Sequence, residues 1–286
     1  MKTIPVPLRM VGAGAHVEEE ELQYLDMPRD MRTFSMPDVP QNADGEALAA
    51  ARDLLAAFLT QLNRWSPGVG ANPRMDMSSV PAATLRVVNE MLGDGEVSIR
   101  VSGARRFDIQ ESVFTGLWRV AELDGERVIA DWLEAGPLPQ VVLEAAQQGT
   151  DNALVPVPLP AGAMNSPALL HEIAARISPR RGKDKPHVLN LTLFPLTPED
   201  HQVLDAALPV GPVAIMSRGF GNCRITSTLA RRVWRVQYFN SMNTLILNTI
   251  EVVDVPEVAL AAPEDLADTR GRLAELIDWM SESCPA

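Results

Sequence analysis

Soft metal ligands are scarce in this chain: two cysteines, Cys223 and Cys284, and four histidines, His16, His171, His187 and His201, among 286 residues. Two cysteines so far apart make neither a disulfide framework nor a tetrathiolate zinc site, and no two histidines have H-x-x-x-H spacing. The sequence therefore predicts no cofactor and no metal centre, with Cys223 the single candidate ligand. Long apolar runs are missing too, none approaching the ~20 residues of a membrane span. The opening MKTIPVPLRMVGAGAHVEEEE has no apolar core of the secretory kind, so the chain reads as cytoplasmic, without membrane insertion. Basic charge is in deficit: 25 Lys and Arg stand against 37 Asp and Glu, for a net charge of −12 and a pI near 4.8. That balance argues against nucleic acid as a partner and suits solubility or attraction to a basic segment. Nucleotide-loop, dinucleotide, zinc-protease and nucleophile-elbow motifs are all absent, and GAGAH (12–16) has no strand–turn–helix around it. Carboxylates abound, but no two stand out as an acid and a base. The residues describe no enzyme.

What is present is a large apolar share, 46%, enough for a sizeable core. Residues 1–45 form a proline-rich acidic arm in which four basic residues face eight acidic ones, including the run Glu18, Glu19, Glu20 and Glu21. Its YLDMPRDMRTFSMPDVP mixes apolar residues with prolines, as does a segment that lies across a surface, its own core or a neighbour's. From residue 46 the period changes to that of a helix over 46–62. A second helix is predicted over 81–92, with Pro81 in its first turn. Strands follow over 97–101, 107–109, 117–121 and 127–130, then a helix after Pro139. The order recurs with a helix over 167–177, the strand VLNLTLF over 188–194 and a helix from Thr197. Thr197 is placed to cap that helix, and Glu199 and Asp200 lie at its positive end. Strands over 213–217, 223–226, 233–239 and 244–252 precede a last helix over 263–280.

An internal repeat organises these elements. At an offset of 116 residues, 95–120 aligns without gaps to 211–236, with 8 of 26 positions identical, among them Gly95/Gly211, Ile99/Ile215, Gly103/Gly219 and Trp118-Arg119-Val120/Trp234-Arg235-Val236. Upstream, Met75 and Met77 fall opposite Leu191 and Leu193. We read two tandem copies of one α+β unit, each of helices and an antiparallel sheet, spanning 46–150 and 160–286. The stretch RGFGNCRITST is then first of all a turn between strands. Specific chemistry is expected where the copies differ. In the second copy these are Arg218, Phe220, Gly221, Asn222, Cys223 and Arg224; in the first, Arg105, Arg106, Asp108, Gln110 and Glu111. Cys223 has two readings: a small apolar residue of the sheet, or a thiol activated by Arg218 and Arg224. The tryptophans are expected in the core, and Arg119 and Arg235 on the opposite face, open to a partner.

The block GPVAIMSRGFGNCRITSTLARRVWRVQYFNSMNTLILNTIEVVDVPEVALAAPEDLADTRGRL resembles the C-terminal signature of the hydrogenase expression/formation proteins of the HupH, HyaF or HoxQ type. LNLTLFPLTPED, ESVFTGLWRV and FSMP extend the likeness over essentially the whole chain. The resemblance implies an accessory role in maturing a membrane-bound uptake [NiFe]-hydrogenase. It also implies partners: the iron–sulfur small-subunit precursor, its twin-arginine signal peptide, and other hydrogenase accessory proteins. It brings no catalytic residues. The partner-binding candidates, read from the residues themselves, are Arg218, Phe220, Gly221, Asn222, Cys223, Arg224, Glu111, Arg119, Arg235 and Glu18 to Glu21. The competing reading is a redox or iron–sulfur handling factor that uses Cys223.

Overall fold

The computed structural model describes residues 45–147, 154–177, 185–218 and 221–282. The acidic arm with Glu18 to Glu21, Phe220 and Cys284 lie outside the described residues. The first half of the chain contributes α1 (Gly45–Arg64), β1 (Arg74–Asp76), α2 (Ala82–Leu92), β2 (Val97–Val101), β3 (Arg106–Glu111), β4 (Leu117–Asp124), β5 (Arg127–Ala135) and α3 (Gln140–Gln147). The second contributes α4 (Ser166–Ile177), β6 (His187–Asn190), a 3-10 turn (Leu191–Leu193), α5 (Pro198–Ala207), β7 (Val210–Ser217), β8 (Asn222–Thr228), β9 (Val233–Phe239), β10 (Leu245–Val252), a second 3-10 turn (Glu257–Ala259) and α6 (Pro263–Glu282).

All ten strands join one antiparallel sheet in the order β1-β5-β4-β3-β2-β7-β8-β9-β10-β6. Read outward from the centre, both halves have the same order, with the innermost strands β2 and β7 side by side. Their register pairs Ile99 with Ile215, Val97 with Ser217 and Val101 with Val213. Ile99, Val101, Val213 and Ile215 are all buried; each such aliphatic side chain is worth about 1.5–3 kcal/mol on removal from water. Gly95 and Gly211 owe their identity to close approach. A Cβ on Gly95 would sit 2.2 Å from the Ser112 carbonyl oxygen, and one on Gly211 2.5 Å from that of Thr228.

Strand alternation sends side chains to two faces. One face is largely apolar and carries Ile99, Ile109, Trp118, Val120, Trp132, Ile215, Cys223, Ile225, Trp234 and Val236 in one cluster with Val142 and Ala145 of α3. The indole N–H of Trp118 donates to Gly136 O at 2.9 Å, and that of Trp234 to Asp254 O at 3.2 Å. The second face is covered at its two ends. Over β4 and β5, Leu117, Leu133 and Ala135 pack with α1, α2 and α6. Over β6, β9 and β10, Leu189, Val233, Ile250 and Val252 pack with α4 and α5.

Two local expectations are corrected. The predicted strand over 188–194 ends at Asn190, whose side chain accepts from the Thr192 N–H and caps a 3-10 turn instead. The upstream equivalence shifts by two residues. Arg74 and Met75 pair with Glu134 and Leu133 as Val188 and Leu189 pair with Glu251 and Ile250. Met75 therefore corresponds to Leu189, not Leu191. A two-residue slip keeps the inside-outside parity, so alternation alone could not detect it.

Candidate partner-binding face

Between its two helical ends, the second face of the sheet shows polar residues. Register fixes two rows across β3, β2, β7 and β8. One runs Gln110, Ser98, Met216, Arg224; the other runs Asp108, Arg100, Ala214, Thr226. All eight are half-buried. Arg119 and Arg235 stand at the two flanks, one on β4 and one on β9. Arg119 donates from Nε and NH2 to the Asp131 carboxylate and from NH1 to Asn89 Oδ1 of α2 at 2.9 Å. Arg235 pairs with Asp205 of α5 at 2.6 Å. Each arginine thus ties the sheet to the helix above it.

In the floor, Arg100 Nε donates to Asp108 Oδ1 at 2.9 Å and Arg106 NH2 to Asp108 Oδ2 at 2.7 Å. Burial alone would raise the Asp108 carboxyl, but the hydrogen bonds from Arg106 and Arg100 hold it below its usual range. The Arg224 guanidinium lies 5.2 Å from the centroid of the Phe239 ring. Among the described residues, Arg100 and Arg106 thus share Asp108, Arg119 pairs with Asp131 and Arg235 with Asp205 on this face.

The candidate residues separate by parity. Arg119, Arg224 and Arg235 come together on this face. Cys223 points to the other and is 2% exposed. Its thiol is pushed up to about 11 by burial, an effect that the hydrogen bond with Tyr238 offsets in part and the nearby Glu251 carboxylate adds to. The expectation that arginines lower it fails because alternation puts Arg224 across the sheet. The arrangement is that of a buried, protonated thiol. Glu111 is corrected as well: at 6% exposure it lies inside the protein, where Oε1 accepts from the Gly116 N–H at 2.9 Å. Burial raises its carboxyl to about 7, the Gly116 hydrogen bond opposing and the Glu96 and Asp265 charges reinforcing the shift. Arg218 follows β7, its backbone N–H donating to Glu96 O at 3.2 Å, and Gly221 leads into Asn222 at the start of β8. Among the described residues no group of three or more His, Cys, Asp or Glu is placed to hold a metal ion. Nor is any helix among them long and apolar enough to cross a membrane.

Arg100 and Met216 were not singled out from sequence. The signal for Arg100 was available, since a charged residue between Ile99 and Val101 must face away from the apolar side. Met216 breaks that polar pattern and gave none.

The profile of the family described as "HupH hydrogenase expression protein, C-terminal conserved region" matches residues 48–154 and 163–280. The hydrogenase expression/formation protein HoxQ of Cupriavidus necator is 40% identical over 281 residues, covering 98% of this chain and 99% of its own. HupH of Rhodobacter capsulatus is 39% identical over 269 residues, 93% of this chain and 94% of its own. The hydrogenase-1 operon protein HyaF of Escherichia coli is 32% identical over 283 residues, 96% and 97% respectively. The solved structure of hydrogenase expression protein HupH from Thiobacillus denitrificans is 29% identical and covers 39% of this chain and 92% of its own, with a TM-score of 0.37.

Proposed function

This chain belongs to the hydrogenase expression/formation family of the HupH, HoxQ and HyaF type, and from that premise we propose that it matures a membrane-bound uptake [NiFe]-hydrogenase by holding the iron–sulfur small-subunit precursor before its twin-arginine export. The role is binding without turnover, in the cytoplasm, alongside other hydrogenase accessory proteins. The observation that supports holding is the polar central stretch of this face, where, among the described residues, Arg100 is held by Asp108, Arg119 by Asn89 and Arg235 by Asp205. Fixed polar groups lose little freedom when a partner engages them, which favours recognition.

We also read the two halves as copies of one unit. Their common strand order, the reciprocal β2–β7 register and the two matched stretches of the family profile support that reading. The redox alternative finds no support in the environment of Cys223, because a thiol raised to about 11 is not a ready nucleophile or ligand.

Co-purification with the small-subunit precursor, made with and without its signal peptide, tests the proposal. Capture of both forms is expected. Capture of the signal-bearing form alone would move recognition to the signal peptide, and capture of neither would overturn the holding role. Cys223→Ser should mature hydrogenase at the wild-type level; loss of maturation with binding retained would restore the redox reading.

A further inference from the structure

The two ends of the sheet are built alike. At one end β1 pairs with β5 only over 132–134, so β5 runs past it from Arg127. At the other end β6 pairs with β10 only over 249–252, so β10 runs past it from Leu245. A hydroxyl closes the paired part in both halves. Ser78 Oγ accepts from the Asp131 N–H at 3.1 Å, and Thr192 Oγ1 from the Asn248 N–H at 3.0 Å. Each overhang also has one extra residue at the same place. Ile129 lies between Val128, paired with Leu123, and Ala130, paired with Glu122. Ile246 lies between Leu245, paired with Phe239, and Leu247, paired with Tyr238. Both are open to solvent, Ile129 at 51% and Ile246 at 56% exposure. Among the described residues, no strand lies on the outer edge of either overhang.

The two ends differ in charge. An edge strand offers its backbone groups to any extended chain, and proteins blunt such edges with charged side chains. The first overhang is blunted. Asp124, Glu126 and Arg127 are exposed at its tip, Asp131 is at its base, and Arg74 and Asp76 are on β1 beside it. The second overhang is bare. Asp, Glu, Lys and Arg are absent from 236–250 and from 188–198, the stretches that meet here, although they make up 22% of the chain. In their place Met242, Leu245 and Ile246 are exposed on the β9–β10 hairpin, and Leu193 and Phe194 around the 3-10 turn that lies against β10. Overhang, hydroxyl and extra residue are common to both halves, so the loss of charge is particular to the second.

These features define the occupant. The edge presents backbone donors and acceptors, which an extended segment matches and a helix, its own groups already paired, does not. Apolar side chains surround it, so a charge brought there would lose water without gaining a partner. A second copy of this chain would meet the overhang along about four residues, a ladder of ~13 Å. That falls far short of the ~800 Å² per partner that a stable dimer buries. A short segment of another polypeptide fits better: main-chain pairing holds it, and its side chains add contact with Leu193, Phe194 and Met242.

We propose that the outer edge of β10 over 245–248 takes up an uncharged, extended segment of a partner polypeptide as an added strand. The proposal rests on the partner-binding reading and sharpens it: the segment held is apolar with unpaired backbone, of the kind a polypeptide exposes only while its own folding is incomplete.

The test uses the full-length protein and a fluorescent heptapeptide of alternating threonine and valine, uncharged and strand-forming. The control has the same side chains with every amide N-methylated, so it keeps the apolar contact and loses the hydrogen-bond donors. Anisotropy titration should show the parent peptide binding at least about tenfold more tightly than the control, with little change as salt is raised. Ile246→Lys, which gives the bare edge a charge at an exposed position, should weaken the parent peptide by about tenfold or more. Ile129→Lys, its counterpart on the first edge, should bind like wild type, with circular-dichroism melts confirming that both variants fold. Equal binding of the two peptides, binding of neither, or a folded Ile246→Lys that binds like wild type would overturn the proposal. So would a dimer of the free protein that Ile246→Lys dissociates in sedimentation, because the edge would then belong to a second copy. The heptapeptide contains no hydrogenase sequence, so peptide binding with no precursor capture would retain the edge site and remove the small subunit as its partner. Precursor capture unchanged by Ile246→Lys, with no peptide binding, would retain the holding role and remove the edge site.

Discussion

Glu111 brings a carboxylate into the protein with one backbone donor, Gly116 N–H, and two like charges, Glu96 and Asp265, close enough to act on it. Its carboxyl ionises near 4.5 in the unfolded chain and near 7 in the folded protein. Between those values the folded state binds more protons than the unfolded one, so stability falls as pH rises through that window. Thermal melts should show a decline from pH 4.5 to pH 7 that Glu111→Gln flattens, with the variant more stable at pH 8 by on the order of 2 kcal/mol. A variant that melts lower than wild type at pH 8 would mean the charge is wanted where it sits. The sequence did not reveal this burial. Glu111 alternates with Phe107 and Ile109, which put it on the apolar side, but a carboxylate at the end of a short strand also fits a solvated edge. Cys223 is the opposite case. Its position between Asn222 and Arg224 made it look reactive, whereas its parity with Ile225 already assigned it to the core side. Spacing within a strand was the better guide than neighbours along the chain.

The helices α4 and α5 are held as a pair by Asp200. Thr197 caps α5, as the sequence suggested, and closes a capping box with Asp200, Thr197 Oγ1 accepting from Asp200 N at 3.1 Å and Asp200 Oδ2 from Thr197 N at 3.1 Å. The other oxygen, Oδ1, accepts from the backbone N–H groups of Met164, Asn165 and Ser166 and from the Ser166 hydroxyl, all within 2.9 Å. That second set caps the start of α4 across 34 residues of chain, and no local motif announces it. Burial opposes ionisation, but the Ser166, Thr197 and Asn165 donors hold the carboxyl far below the ordinary range. Stability from this group is complete above the unfolded carboxylate range and is lost as pH falls below it. Asp200→Asn should lower stability by about 2–4 kcal/mol at pH 7, since an amide puts donors against donors. Chemical denaturation measures it, and a change below about 0.5 kcal/mol would show that the clamp is dispensable. Element types were largely legible here because the apolar periods are clean: 3.6 in α1 and α2, 2 in β2 and β3. What escaped was pairing over distance. Neither the β2–β7 seam nor the two-residue shift of β1 against β6 leaves a mark in local sequence.

At the scale of the whole sheet, the described helices of the second face stand at opposite ends while the strands run on between them. That separation follows from the central register, where Ile99 faces Ile215 and each neighbouring pair is matched by its counterpart across the seam. The exposed edge that either half would show if it stood alone is therefore nearly its own complement. In the language of assemblies, the seam is a pseudo-isologous contact, the kind from which closed twofold dimers are made. A fragment spanning 154–262 would lose β2 from the open edge of β7. It should find a substitute in a second fragment, pairing β7 with β7 about Ile215. Sedimentation should show a fragment dimer, and a charge introduced by Ile215→Glu should break it into monomers. A fragment that stays monomeric and folded would mean that its edge protects itself. Either way, the link between the halves serves as a tether. By keeping both matching edges in one molecule it sets their effective concentration far above that of free fragments, so the second partner arrives already bound to the first.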